Sequence, residues 1–505
     1  MNKIGWKICV SFLAVLILIN FGFAQSDITK GSKPSEQASV PRFEKSDCAV
    51  KIPEGVRAEC GNLFVKENRS KAKSRVIRLP VVIIKSTSSN PASDPVFYTG
   101  GGPGGGSLGR AQGARNLVPY TKDRDFIILE QRGTRLAEPS MPCPEVNEAD
   151  HTAAERNLND IESKKIEIEA VRKCRERLIS EGIDIAAYDS AASAADIEDL
   201  RQTLGIKQWN LYGVSYSTRL MLNYIRVYPK SVRSVILDSV LPPTVNYDET
   251  SVDGVVRSLK LIFETCAADT HCRSAYPDIQ KKFYRLVKNA DEKPLEIKVK
   301  RNGTEVPVYA DGKAIVDFVY GLLEDSDALP DIPFIINSMA SSNYDSLISF
   351  RRFGEQKLTS EGFVWGMRYS VWCREEMPFQ DVRKIRGQIT KYKELRGFGI
   401  QSVFPDICKV WNVPPAGKIE NAPVKSNIPA LIFSGEYDPD TPPAWGKLVS
   451  TWFPNSYFYE VRNTSHGVLF GNRCSIVDIA PSFLNDPAKR PNDTCLKEIG
   501  PMVFK

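Results

Sequence analysis

Residues 209–217 read Trp209-Asn210-Leu211-Tyr212-Gly213-Val214-Ser215-Tyr216-Ser217 and run directly into Thr218-Arg219-Leu220. The first four residues make a short apolar strand, and 218–228 read as a helix ended by Pro229. A strand, a sharp turn centred on serine and a helix together form a nucleophile elbow. Backbone strain at the serine demands small residues two positions to either side, so that strand and helix can approach. Gly213 and Ser217 satisfy that demand, although a second glycine is the usual choice. Ser215 is therefore the candidate nucleophile.

Outward from this point, residues 61–65, 76–84, 96–98 and 126–130 read as strands. A charged, helix-prone segment occupies 144–173, and a helix at 194–204 ends at Gly205, a suitable C-terminal cap. Residues 232–238 form another buried type of strand, rich in β-branched side chains. Strands alternating with helices predict a mostly parallel sheet flanked by helices. That pattern stops between 245 and 424, where helical periodicity dominates, as at 255–266, 278–289 and 314–323. It resumes with strands at 429–434 and 457–461. The expected architecture is an α/β core built from 41–244 and 425–505, split by a helical cap at 245–424.

Three further segments carry chemistry. Thr99-Gly100-Gly101-Gly102-Pro103-Gly104-Gly105-Gly106 follows a strand and exposes backbone N–H groups, as an oxyanion hole requires. The pattern of a phosphate-binding loop is absent from it. Leu431-Ile432-Phe433-Ser434-Gly435-Glu436-Tyr437-Asp438 delivers an aspartate onto a turn at the end of an apolar strand. Asp440 competes for the same role, but its place before Thr441-Pro442-Pro443 suits the capping of the next helix. Of the three histidines, His151 lies in a charged segment and His271 between two close cysteines. Only His466 follows a late strand, so the order Ser215, Asp438, His466 matches a serine-hydrolase triad on an α/β sheet.

Composition narrows the class. The chain is 42% hydrophobic and 25% charged, with 67 Lys+Arg against 61 Asp+Glu. The mild basic excess is dispersed, which argues against nucleic-acid binding. Lys3 and Lys7 precede an apolar run that closes with Gly22-Phe23-Ala24, the form of a secretory signal (1–24) cut after Ala24. Residues 25–40 read as a flexible lead-in. No stable membrane insertion is expected once the signal is removed, and the destination is periplasmic or extracellular. Eleven cysteines leave ten after cleavage, an even number that suits an oxidising compartment. They fall into the couples 48/60, 143/174, 266/272, 373/408 and 474/495, for which sequential pairing is the simplest arrangement. Cys266, His271 and Cys272 lack any zinc-site spacing, so no metal is expected, nor any organic cofactor.

With these motifs in hand, the chain resembles the prolyl/tripeptidyl aminopeptidase family of α/β-hydrolases. The likeness rests on Gly100–Gly105, Gln131-Arg132-Gly133-Thr134, Gly213–Arg219, Leu237-Asp238, Gly435–Pro442 and Ser465-His466-Gly467. It spans about Cys48 to Cys495 and is weakest in the insertion. The resemblance implies that Ser215 attacks a scissile carbonyl, His466 relays its proton and Asp438 holds the imidazole. It further implies an oxyanion hole from the Tyr216 N–H with Gly101 and Gly102. Acidic cap residues would bind the free α-amino group of a peptide substrate, with Glu375 and Glu376 as the expected anchors. Two departures stand out: Ser217 replaces a glycine, and Glu130 replaces an aspartate before Gln-Arg-Gly. The same triad would serve an esterase, and a binding protein on this scaffold would need no triad.

Overall fold

A computed structural model describes residues 39–301, 303–348, 363–399 and 405–505. The expected signal segment and nearly all of the lead-in lie outside the described residues. The strands are β1 (Arg42–Lys45), β2 (Ala58–Lys66), β3 (Val76–Ile84), β4 (Ala92–Tyr98), β5 (Arg124–Leu129), β6 (Trp209–Ser215), β7 (Val232–Val240), β8 (Leu295–Arg301), β9 (Thr304–Ala310), β10 (Ala430–Gly435) and β11 (Ser456–Val461). Among the described residues nine of them join one sheet in the order β1-β2-β3-β5-β4-β6-β7-β10-β11. The pairings β1–β2, β2–β3 and β3–β5 are antiparallel, and every pairing from β5–β4 onward to β10–β11 is parallel. This is the mostly parallel sheet flanked by helices expected from the strand–helix alternation.

Strands such as β7 (VRSVILDSV) and β10 (ALIFSG) are apolar on both faces because helices cover both sides. Leu211, Val235 and Ile432 pack on one face, while Tyr212, Ile236 and Leu431 pack on the other. Helices α1 (Pro144–Glu155), α2 (Asp160–Ser180), α3 (Ser190–Thr203) and α4 (Tyr216–Val227) follow in order. The charged stretch 144–173 is thus two helices. Asn159 starts the second by accepting the N–H groups of Ile161 and Glu162, while Glu162 accepts the Asn159 N–H.

Between β7 and β10 lies the insertion, with helices α5 (Ser251–Ala268), α6 (Ile279–Glu292), α7 (Gly312–Glu324), α8 (Ile332–Ala340), α9 (Trp365–Glu375) and α10 (Val382–Lys391). It has its own apolar core, in which Val255, Leu259, Phe263, Phe283, Ile315 and Val319 are buried. The segment is not purely helical, for β8 and β9 form an antiparallel hairpin. Ile297 and Val299 are buried, as are Val308 and Ala310 on the partner strand. That two-residue periodicity is a strand signal, which the mainly helical reading of the insertion overlooked. Beyond β10, α11 (Pro443–Ser450) and α12 (Val468–Gly471) flank β11.

All five cysteine couples are disulfide-bonded in sequential pairs: 48–60, 143–174, 266–272, 373–408 and 474–495. No helix among the described residues is long and apolar enough to cross a membrane.

Candidate active site

Ser215, Asp238, Asp438 and His466 lie at or just beyond the C-terminal ends of four adjacent strands, β6, β7, β10 and β11. Parallel strands place their sites at that edge of the sheet. Ser215 sits between β6 and α4 with φ +60°, a conformation that costs roughly 1–3 kcal/mol for a side-chain-bearing residue. The strain is sustained by neighbours that fix the turn. A Cβ on Gly213 would lie 2.8 Å from the Ser217 carbonyl oxygen, so only glycine fits there. Ser217 is fully buried, and its hydroxyl bonds back to Val214. Thr218 Oγ1 donates to the Ser215 carbonyl at 2.6 Å.

The glycine-rich loop lies directly over the elbow. A Cβ on Gly101 would stand 3.1 Å from the Ser215 Cβ and 3.6 Å from its Oγ. Tyr216 opens helix α4, so its N–H has no acceptor within the helix. Glu130 anchors the loop from beneath: its carboxylate accepts the N–H groups of Ser107 and Leu108 at 2.8 and 3.0 Å. Gln131 Nε2 donates to the Gly100 carbonyl, and Arg132 is buried in a two-point pair with Asp196. The insertion holds the loop from above. Val364 N–H donates to the Gly104 carbonyl at 2.9 Å, and Arg368 donates to the Gly102 carbonyl.

Asp438 is fully buried, and both its carboxylate oxygens are 3.0 Å from His466 Nδ1. The carboxylate also accepts the N–H groups of Asp440 and Thr441 and the Thr441 hydroxyl, at 2.7–2.9 Å. Burial by itself would raise the Asp438 pKa, but His466 and these donors hold it below the ordinary aspartate value. Burial would lower the His466 pKa. The facing Asp438, with Asp440 and Glu324 behind it, outweighs burial and raises it. A Cβ on Gly435 would lie 2.1 Å from the Ser465 carbonyl oxygen, so the acid turn and the histidine loop are packed backbone to backbone.

Asp238, fully buried, accepts the N–H groups of Val468 and Leu469 at 3.0 and 2.8 Å. Ser239 Oγ accepts the Gly467 N–H at 2.8 Å. Asp238 lies opposite Val214 in the β6–β7 register, so these bonds tie the histidine loop to the strand flanking Ser215. The insertion adds a third tie, since Ser465 N–H donates to Ser326 Oγ at 2.8 Å and Ser465 Oγ to the Leu323 carbonyl.

Asp440 does not cap the following helix. Its carboxylate accepts the hydroxyls of Tyr247 and Tyr320 and pairs with the carboxyl of Glu324 at the end of α7. Burial and the charge of Asp440 raise the Glu324 pKa well above that of an ordinary glutamate. The sequence offered no motif for Glu324, which reaches the site only because α7 folds back onto the histidine loop.

The structure places Glu375 and Glu376, the expected substrate anchors, in the packing between α9, α3 and α4. Each is 1% exposed. Glu375 accepts the Ser190 N–H and hydroxyl, both at 2.6 Å, and Glu376 pairs with Arg219 of α4. Glu375 acts at one remove, because Ser190 Oγ also bonds the Tyr216 hydroxyl at 2.7 Å.

Residues 94–286 match the family described as alpha/beta hydrolase fold, and residues 399–495 the family described as TAP-like protein. The serine protease Hip1 of Mycobacterium tuberculosis is 23% identical over 465 residues, 87% of either chain. A tripeptidyl aminopeptidase of Streptomyces lividans is 26% identical over 223 residues, covering 41% of this chain and 40% of its own. A proline iminopeptidase of Neisseria gonorrhoeae is 25% identical over 153 residues, covering 30% and 34%.

Proposed function

The chain belongs to the α/β-hydrolases, in their TAP-like branch, and on that footing we propose that it is an exported serine peptidase releasing one to three residues from the free N-terminus of peptides. Its relatives named as a serine protease, a tripeptidyl aminopeptidase and a proline iminopeptidase support a peptide substrate. Five disulfides support an oxidising compartment.

In this reading Ser215 Oγ attacks the scissile carbonyl carbon while His466 accepts the hydroxyl proton. Asp438 keeps the imidazole in the orientation and tautomer that leave Nε2 free to act. The negative charge on the carbonyl oxygen falls to the N–H of Tyr216 and the loop at Gly101–Gly102. The C–N bond then breaks, the proton passes from His466 to the departing amine, and the acyl group stays on Ser215. Water, deprotonated by the same imidazole, releases the acid.

The observation that carries the exopeptidase reading is the Glu324–Asp440 acid pair beside His466. With Tyr247 and Tyr320 it offers carboxylate and aromatic faces to an ammonium group. In this reading Glu324 and Asp440, rather than Glu375 and Glu376, would hold the substrate α-amino group.

The test is hydrolysis of matched peptide arylamides, with free and with acetylated N-termini, by the wild type and Ser215→Ala. Cleavage confined to free N-termini and lost by several orders of magnitude in Ser215→Ala is the expected outcome. Turnover of simple acyl esters alone would move the assignment to an esterase.

A further inference from the structure

We infer that Arg257, on helix α5 of the insertion, is a positioning residue for the Asp438–His466 pair: it clamps the acid turn and presents a positive charge behind it. The inference rests on the reading of those residues as catalytic. Its guanidinium donates to the carbonyl of Glu436 at 2.8 Å and to that of Asp438 at 2.7 Å, bracketing the turn that carries the acid. The same helix meets the turn at Gly254, where a Cβ would lie 2.2 Å from the Pro439 carbonyl oxygen. Helix and turn are thus in backbone contact, and Arg257 is the side chain that fastens them.

The choice of arginine is informative. Among the described residues no carboxylate lies within ion-pair distance of Arg257; Glu436 and Glu460 act on it from farther away. Partial burial of a guanidinium that bonds only neutral oxygens is costly, and a neutral donor would serve if fastening were the whole role. What a neutral donor lacks is the charge, and Asp438, whose own carbonyl Arg257 holds, is the carboxylate that acts on it most strongly.

The groups that bear on His466 are Asp438 and Asp440 from the acid turn, Glu324 from α7 and Asp238 from β7. All are acids, and all favour the imidazolium. Arg257, hydrogen-bonded to the turn that carries Asp438, is a cation set against these acids. By attracting part of the Asp438 charge it eases loss of the proton from His466, the form needed to activate Ser215.

The measurement is the rate at which a fluorophosphonate labels Ser215 in the full-length protein, followed against pH. Labelling needs an activated serine but no peptide recognition. Arg257→Met is expected to slow the plateau rate about tenfold and to move the acidic limb up by about half to one pH unit. Arg257→Lys keeps the charge but cannot span both carbonyls, so it should label slowly with the limb of the wild type. Arg257→Gln, which retains a donor, replaces Arg257→Met in the comparison if the latter does not fold by near-UV circular dichroism. An unmoved limb in the neutral variants, or a limb that moves equally in Arg257→Lys, overturns the inference. Labelling that survives Ser215→Ala would overturn the functional reading instead.

Discussion

Ser217 grips Val214 by both of its main-chain groups: its hydroxyl oxygen accepts the Val214 N–H at 2.7 Å and its proton goes to the Val214 carbonyl at 2.8 Å. The residue that departs from the expected glycine thus braces the strand end on which Ser215 is strained. Ser217→Gly should cost roughly 1–2 kcal/mol, since a buried N–H loses its acceptor. It should also lower kcat several-fold at nearly constant KM. Thermal unfolding and steady-state kinetics on one arylamide check both; an unchanged kcat would show that the brace is dispensable to the elbow.

The Glu324–Asp440 pair shares charge that an arriving ammonium would claim. Glu324→Gln and Asp440→Asn should each lower kcat/KM for free N-terminal substrates by about 10–100-fold. The same variants should leave the plateau rate of Ser215 labelling within a few-fold of the wild type, with its acidic limb moved to lower pH, because each removes an acid that favours the His466 imidazolium. Because burial and Asp440 raise the Glu324 pKa, the wild-type site gains negative charge as pH rises, and KM should fall until the substrate amine itself deprotonates near pH 8. Glu324→Gln should abolish that slope.

Arg368 lies over the Trp372 ring at 3.8 Å while holding the Gly102 carbonyl. Arg368→Ala should loosen the glycine loop and reduce kcat about tenfold on amides and activated esters alike. Arg368→Lys should recover part of the loss. A change in KM alone would assign Arg368 to substrate contact rather than to the loop.

Burial raises the Asp238 pKa to about 6 from an ordinary 3.8, against the N–H groups of Leu469 and Val468 that lower it. The folded state therefore binds this proton more tightly than the unfolded chain does. Its contribution to stability is complete below pH 3.8 and is lost as pH rises through 6, about 3 kcal/mol in all. Urea unfolding at pH 4.5 and 7.5 should show about 2 kcal/mol of this loss in the wild type and none in Asp238→Asn. An identical pH dependence in both would refute it.

The strained turn at Ser215 and the places of Asp438 and His466 were legible because each is encoded locally, by a strand and the turn that follows it. The choice of Asp438 over Asp440 followed from distance to the strand end, and Asp438 is the one bonded to His466. What Asp440 does instead was not legible, since Tyr247, Tyr320 and Glu324 come from two different parts of the insertion. The surroundings of Glu375 and Glu376 were not legible for a related reason. Two acids amid tryptophans look alike whether they face a cleft or an internal arginine, and only packing against α4 decides. The β8–β9 hairpin was within reach, because Leu295, Ile297 and Val299 alternate with charged residues.

The insertion is bonded to the acid turn through Arg257, to the histidine loop through Ser326 and Leu323, and to the glycine loop through Val364 and Arg368. A graft of a foreign cap onto this sheet would therefore unmoor three loops at once. Altered selectivity is better sought by exchanging single side chains inside the native insertion than by trading it as a module.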